Sequence, residues 1–264
     1  MAASSQLQPL TETGWRRGFG NLLRKEMGLW FGTSRWWRQA IVWTLILNGI
    51  IATVMLASRS EPTPVDIPPF RTAMEVFFKM AAIFTVIGGA LRIQDAIIGE
   101  RQLGTAAWIL SKPVARPAFV LTKFLAHVTG MTVLSILLQC SILALQTYYW
   151  SGQWPEPLPY LGAMGLLTLN LAYYQAFCLM LGTFFQGRGA VTGAAMGVLF
   201  AGQMVPGVAP WTVKLMPWAL GDFAVATTTG TALPDWALFP LLVPAASIGL
   251  FLAVAVWRFQ QEEM

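Results

Sequence analysis

Residues Gly99 to Lys123 read GERQLGTAAWILSKPVARPAFVLTK, and the fold turns on how this stretch is read. It is charged, it carries a helix-compatible apolar pattern, and it lies between two hydrophobic segments. From Glu100 to Leu110 the residues fit about three helical turns. Leu103, Ala107 and Leu110 share one face, and Glu100, Gln102 and Thr105 fall elsewhere. Pro113 ends the pattern, because the residue before a proline is pushed out of helical geometry. Outward in both directions the chain loses its charges. Residues 39–58, 124–155, 157–187, 189–213 and 236–257 hold no Asp, Glu, Lys or Arg.

These runs set the class. The 264 residues are 56% hydrophobic and only 11% charged, against about 25% charged in soluble domains. A bilayer core needs roughly 20 apolar residues of helix, and several runs reach that length. The reading is an all-α integral membrane protein with six transmembrane helices, at about 39–57, 72–98, 118–147, 158–185, 190–205 and 237–257. Residues 1–38 form a tail and interfacial helix, 39–258 a single transmembrane domain, and 259–264 a second tail. The net charge of +5 does not point to nucleic acid, because it is distributed by side. Arg16, Arg17, Arg24, Lys25, Arg35 and Arg38 precede the first span. Arg92, Arg101, Lys112, Arg116 and Lys123 cluster between the second and third, Arg188 follows the fourth, and Arg258 follows the last. The positive-inside rule then places both termini in the cytoplasm, with anionic lipid headgroups as partners of that side. The first residues, MAASSQLQPLTE, lack an apolar core with a cleavage site, so the first span is expected to direct insertion.

The segments between and within spans carry further signals. Residues 15–30 interleave Phe19, Leu22, Leu23, Met27 and Trp30 with Arg16, Arg17, Arg24 and Lys25, the pattern of an interfacial amphipathic helix. Four prolines between 62 and 69 mark an outer loop. Glu75 and Lys79, and likewise Arg92 and Asp95, have the spacing to pair on one helix face; Glu75 or Lys79 could instead line an outer vestibule. Gly189, Gly193, Gly197 and Ala201 recur every four residues, a stripe suited to close helix packing within the chain or across a dimer seam. Residues 205–236 are apolar yet broken by prolines, which suits a re-entrant outer segment buried in protein.

Catalytic chemistry is sparse. His127, the sole histidine, has no carboxylate in helical reach. Cys140 and Cys178 sit inside spans and read as small buried hydrophobes. No metal-ligand spacing exists. Gly99 to Thr105 mimics a phosphate-binding loop, but Thr105 stands where the lysine is required and no strand precedes it. This chain is therefore expected to bind no cofactor.

The stretch from Glu100 resembles the permease subunits of type-2 ABC transporters of the exporter class. The residues that carry the likeness are Glu100, Gly104, Thr105, Leu110, Pro113, Arg116 and Lys123, with Arg24 to Met27 (RKEM) in the N-terminal helix. Trp108 replaces a usual aliphatic residue, and Pro117 follows Arg116 directly. The resemblance implies a second permease, identical or homologous, and two ATPase subunits that hold the ATP and Mg. It implies that Glu100, Arg101, Gln102, Leu103, Gly104, Thr105, Trp108, Leu110, Pro113 and Arg116 form a cytoplasmic coupling helix and its flank, docked on the ATPase. It also implies the cytoplasmic (inner) membrane of a prokaryote and no enzyme activity in this chain.

Polar groups inside the spans, Asn48, Gln139, Asn170 and Gln175, are candidates to line the path, or else they bond helix to helix. The scarcity of ionisable groups in the spans favours an apolar or amphiphilic cargo. Two other readings stay open: a membrane anchor for a cytoplasmic partner, and an intramembrane enzyme. The second would require at least two convergent ionisable groups inside the bilayer.

Overall fold

A computed structural model describes residues 13–60, 69–103 and 114–261. Among them the chain is helical and forms no strands. A short helix, α1 (Phe19–Phe31), leads into six helices long and apolar enough to cross a membrane. These are α2 (Arg35–Ala57), α3 (Pro69–Glu100), α4 (Arg116–Ser151), α5 (Pro157–Phe184), α6 (Arg188–Val208) and α8 (Phe239–Gln260). The chain is a multi-pass membrane protein. The helix α7 (Leu220–Thr229) lies between the last two spans.

Helix α5 is the centre of the bundle. It buries residues along its whole length, from Tyr160 to Thr183. Around it, Phe77, Phe78, Leu134, Leu143 and Leu167 fill one half of the core. Ile93, Ile97, Phe119, Leu179 and Phe259 fill the other. α6 and α8 are peripheral and expose most of their surface. In a bilayer such a surface meets lipid or another protein, and no penalty attaches to its being apolar.

Two spans are not regular. Thr44–Asn48 in α2 and Thr132–Leu137 in α4 are π-helical turns. Such turns widen the helix by one residue and leave a carbonyl off the normal ladder. In α4 the Gln139 side chain repairs this, its Nε2 donating to Leu134 O at 3.0 Å. α3 is interrupted at one residue, Gln94, and resumes at Asp95.

The proline-rich segment before α8 folds as two short 3-10 turns, Pro210–Lys214 and Pro217–Ala219, followed by α7. α6 runs on through Pro206 to Val208, past the stop expected at 205. Pro206 sits in the last turn, where little of the ladder depends on it. Leu220, Gly221, Phe223 and Ala224 of α7 are buried. A Cβ on Gly221 would touch Ala82 and approach Phe78, about three turns in from the Pro69 end of α3. Pro217–Ala219 and α7 thus lie against protein, while Pro210–Lys214 buries no residue.

Candidate functional site

The basic residues gather at one end of the bundle, where α1, α3 and α4 meet. α1 buries Leu22, Glu26 and Trp30, one residue per turn. A carboxylate in the middle of an apolar stripe requires a partner. Lys123, about two turns into α4, supplies it. Its Nζ donates to Glu26 Oε1 at 3.1 Å and to Glu100 Oε1, at the end of α3, at 2.8 Å. Lys123 is only 2% exposed, and its ammonium lies 4.9 Å from the Phe119 ring centre. From the rim, Lys25 reaches Glu100 at 3.4 Å and Glu26 at 3.8 Å. Two cations and two carboxylates therefore join three elements in a low-dielectric setting, where attraction is strong and a lost partner is costly.

Close backbone approach makes this geometry possible. A Cβ on Gly130 of α4 would fall 2.3 Å from the Trp30 ring. Only glycine lets α1 lie flush on α4. Trp30 also meets His127 edge-on at 5.5 Å.

The same end of α3 is tied to α6. Asp95 pairs with Arg188 at 2.9 Å, and Thr192 donates to Gln94. Arg188 also donates to Gln102 Oε1 at 3.3 Å, and Gln102 to Gln186 O at 3.4 Å. The expected pairing of Asp95 with Arg92 is not made. The break at Gln94 separates the two residues that a continuous helix would stack. Glu75 and Lys79, on unbroken helix, do pair at 2.8 Å.

Within the expected coupling segment, Glu100 faces inward to Lys123 rather than outward. Arg116 is likewise turned inward: its Nη1 donates to Phe259 O at 3.2 Å and Gln260 O at 2.5 Å, capping the last carbonyls of α8. Both ends of the described chain thus lie at this basic end. Leu103 is 78% exposed. Gly104, Thr105, Trp108, Leu110 and Pro113, and the side chain of Arg101, lie outside the described residues.

The four polar groups offered as path-lining are all buried. Asn48 Nδ2 donates to Gln139 Oε1 at 2.8 Å, joining α2 to α4. Asn170 Nδ2 donates to Ala82 O at 2.8 Å, joining α5 to α3. Asn48, Gln139 and Asn170 are helix-to-helix ties, because a polar group in hydrocarbon is most stable when another helix satisfies it. Gln175 is fully buried, and neither its Oε1 nor its Nε2 has a hydrogen-bond partner. The glycine stripe packs on none of the described residues. Nothing lies within 4 Å of a Cβ built on Gly189, Gly193 or Gly197. α6 instead buries Val191, Ala195 and Leu199, and Ala201 is half-buried.

Sequence reasoning reached Lys25, Glu26 and Lys123 only through the resemblance, and did not join them into one site. The signal was available: Leu22, Glu26 and Trp30 are spaced by four, so Glu26 belongs to the buried stripe of an amphipathic helix. No groups of three or more metal-ligating residues occur among the described residues.

Residues 43–264 match the family model described as a protein of unknown function, DUF2705, and the chain belongs to that family. No curated protein matches the sequence.

Proposed function

We propose that this DUF2705 member is the membrane permease subunit of an ATP-driven exporter of the type-2 ABC class. It performs no chemistry itself. Two such subunits, identical or homologous, form the path, and two separate ATPases bind ATP and Mg beneath them. The basic end faces the cytoplasm of a prokaryotic cell, by the charge asymmetry of the loops. The segment between α6 and α8 serves as the re-entrant outer gate, and the open glycine stripe of α6 is a seam for the second permease.

One observation carries the reading. Glu100, at the entry to the expected coupling segment, is bonded through Lys123 to α4 and to Glu26 of α1. A push on residues 101–115 therefore moves α1, α3 and α4 together instead of bending a loose loop. Such a joint suits a subunit whose conformational balance is set by a partner's nucleotide state. Of the four polar residues offered as path-lining, Asn48 and Gln139 bond each other and Asn170 bonds the Ala82 carbonyl, which suits an amphiphilic cargo.

The test uses Leu103→Cys, at an exposed position next to the joint. In intact cells a membrane-impermeant thiol reagent should leave it unlabelled, and cell lysis should expose it. A bifunctional crosslinker should then trap it on an ATPase with a phosphate-binding loop. Labelling from outside, or purification without any ATPase, overturns the proposal.

A further inference from the structure

A charged cleft of about 470 Å³ opens between α1, α2 and α3. Its wall carries Arg35, Arg38, Arg92, Asp95, Glu26 and Glu100, with Lys123 and His127 behind them. The carboxylates are already matched. Glu26 and Glu100 hold Lys123 and Lys25, and Asp95 holds Arg188 at 2.9 Å. Three guanidiniums remain. Among the described residues, Arg35, Arg38 and Arg92 have no carboxylate within ion-pair distance. Arg38 makes only short-range bonds to Ser34. Arg92 is half-buried and feels the like charges of Arg35 and Arg38. Three like charges converging on one cleft are unfavourable unless an anion sits among them.

A second cavity, about 430 Å³, continues from the first between α2 and α3. The two share Gln39, Val42 and Arg92 as lining residues. Beyond that junction the groove is apolar, walled by Trp43, Ile46, Phe84, Ile87 and Leu91. At its floor the Trp43 ring packs against Gly88, where a Cβ would strike it at 2.5 Å. Trp36 and Trp37 stand exposed between Arg35 and Arg38, which sets the arginines at headgroup depth. A cationic mouth at that depth, joined to an apolar groove running along two spans, has the shape and polarity of one phospholipid.

We propose that this paired cavity binds an anionic glycerophospholipid. Its phosphate is held by Arg35, Arg38 and Arg92, whose planar donor forks match phosphate oxygens, and one acyl chain lies in the α2–α3 groove. The site depends on the membrane placement of the chain and not on the exporter reading. Failure of either leaves the other standing.

Native mass spectrometry of the full chain in detergent, titrated with phosphatidylglycerol, tests it. One lipid should bind above background, and millimolar inorganic phosphate should not displace it. Arg92→Ala should weaken binding about tenfold, as loss of a charge-assisted hydrogen bond predicts, with Arg92→Lys between the two. Val42→Trp, which fills the junction at an exposed position, should weaken it comparably. Arg71→Ala, at the opposite end, should leave it unchanged. Each variant is first shown to be monodisperse by size exclusion. Equal binding by the parent and a triple Arg35→Ala, Arg38→Ala, Arg92→Ala variant overturns the site. Displacement by inorganic phosphate, with binding indifferent to Val42→Trp, overturns the lipid and assigns a free anion.

Discussion

Lys123 Nζ lies 2.8 Å from Glu100 Oε1 inside a nearly sealed site. The two residues close the charged stretch that separates the second span from the third. The contact fastens the start of the intervening segment to the helix that follows it, and Glu26 adds α1 at 3.1 Å.

Removing the cation alone should be severe. Lys123→Met takes the buried cation from Glu26 and Glu100 and leaves them Lys25 at the rim, and breaking a buried pair costs about 3–5 kcal/mol. Thermal unfolding in detergent should show a large drop in midpoint. The triple variant Glu26→Gln, Glu100→Gln, Lys123→Met removes all three charges and should recover most of the loss. If the triple variant is no more stable than Lys123→Met, the cluster is not the source of the effect.

Gly130→Ala tests the approach of α1 to α4. The added methyl meets the Trp30 ring at 2.3 Å, and overpacking of this kind costs about 1–3 kcal/mol. Limited proteolysis should show α1 released from the bundle earlier than in the parent. Unchanged protection would mean that Trp30 can turn away at no cost.

Asn48→Leu separates a structural tie from a path-lining group. Hydrogen bonds between membrane helices average about 0.6 kcal/mol and reach about 1.7. Loss of the bond to Gln139 should lower stability within that range. A double-mutant cycle with Gln139→Leu should show coupling. Additive effects would return Asn48 to the list of path residues.

Gly193→Leu places a large side chain where the chain itself has no neighbour. Monomer stability should move by less than about 0.5 kcal/mol. If α6 is the seam between two permeases, crosslinking yield between copies should collapse. A dimer that survives Gly193→Leu and Gly197→Leu together lies on another face.

The legible part of this protein is particular. Arg35 to Ala57 reads as a span because a window of local residues is apolar, whatever surrounds it. The prolines at 210 and 217 announce irregular backbone, and α7 lies after them, whereas α6 runs on through Pro206. The Arg92–Asp95 pair was legible as a spacing, but Asp95 is taken instead by Arg188 of α6, which no local signal marks. Glu26 was visible as part of the RKEM run but not as a buried charge with a named partner. Asn48 was visible as a polar group in hydrocarbon but not as a ligand of Gln139.

By itself the sequence determined that six segments are long and apolar enough to cross a bilayer and that most of its cations collect at one end. Those properties are sums over neighbouring residues, decided by transfer from water to hydrocarbon. Only the tertiary structure decided who meets whom. Lys123 and Glu26 lie 97 positions apart, and Asn48 and Gln139 lie 91 apart. Their pairing follows from which helices lie side by side and how each is rotated, and no local window carries that information.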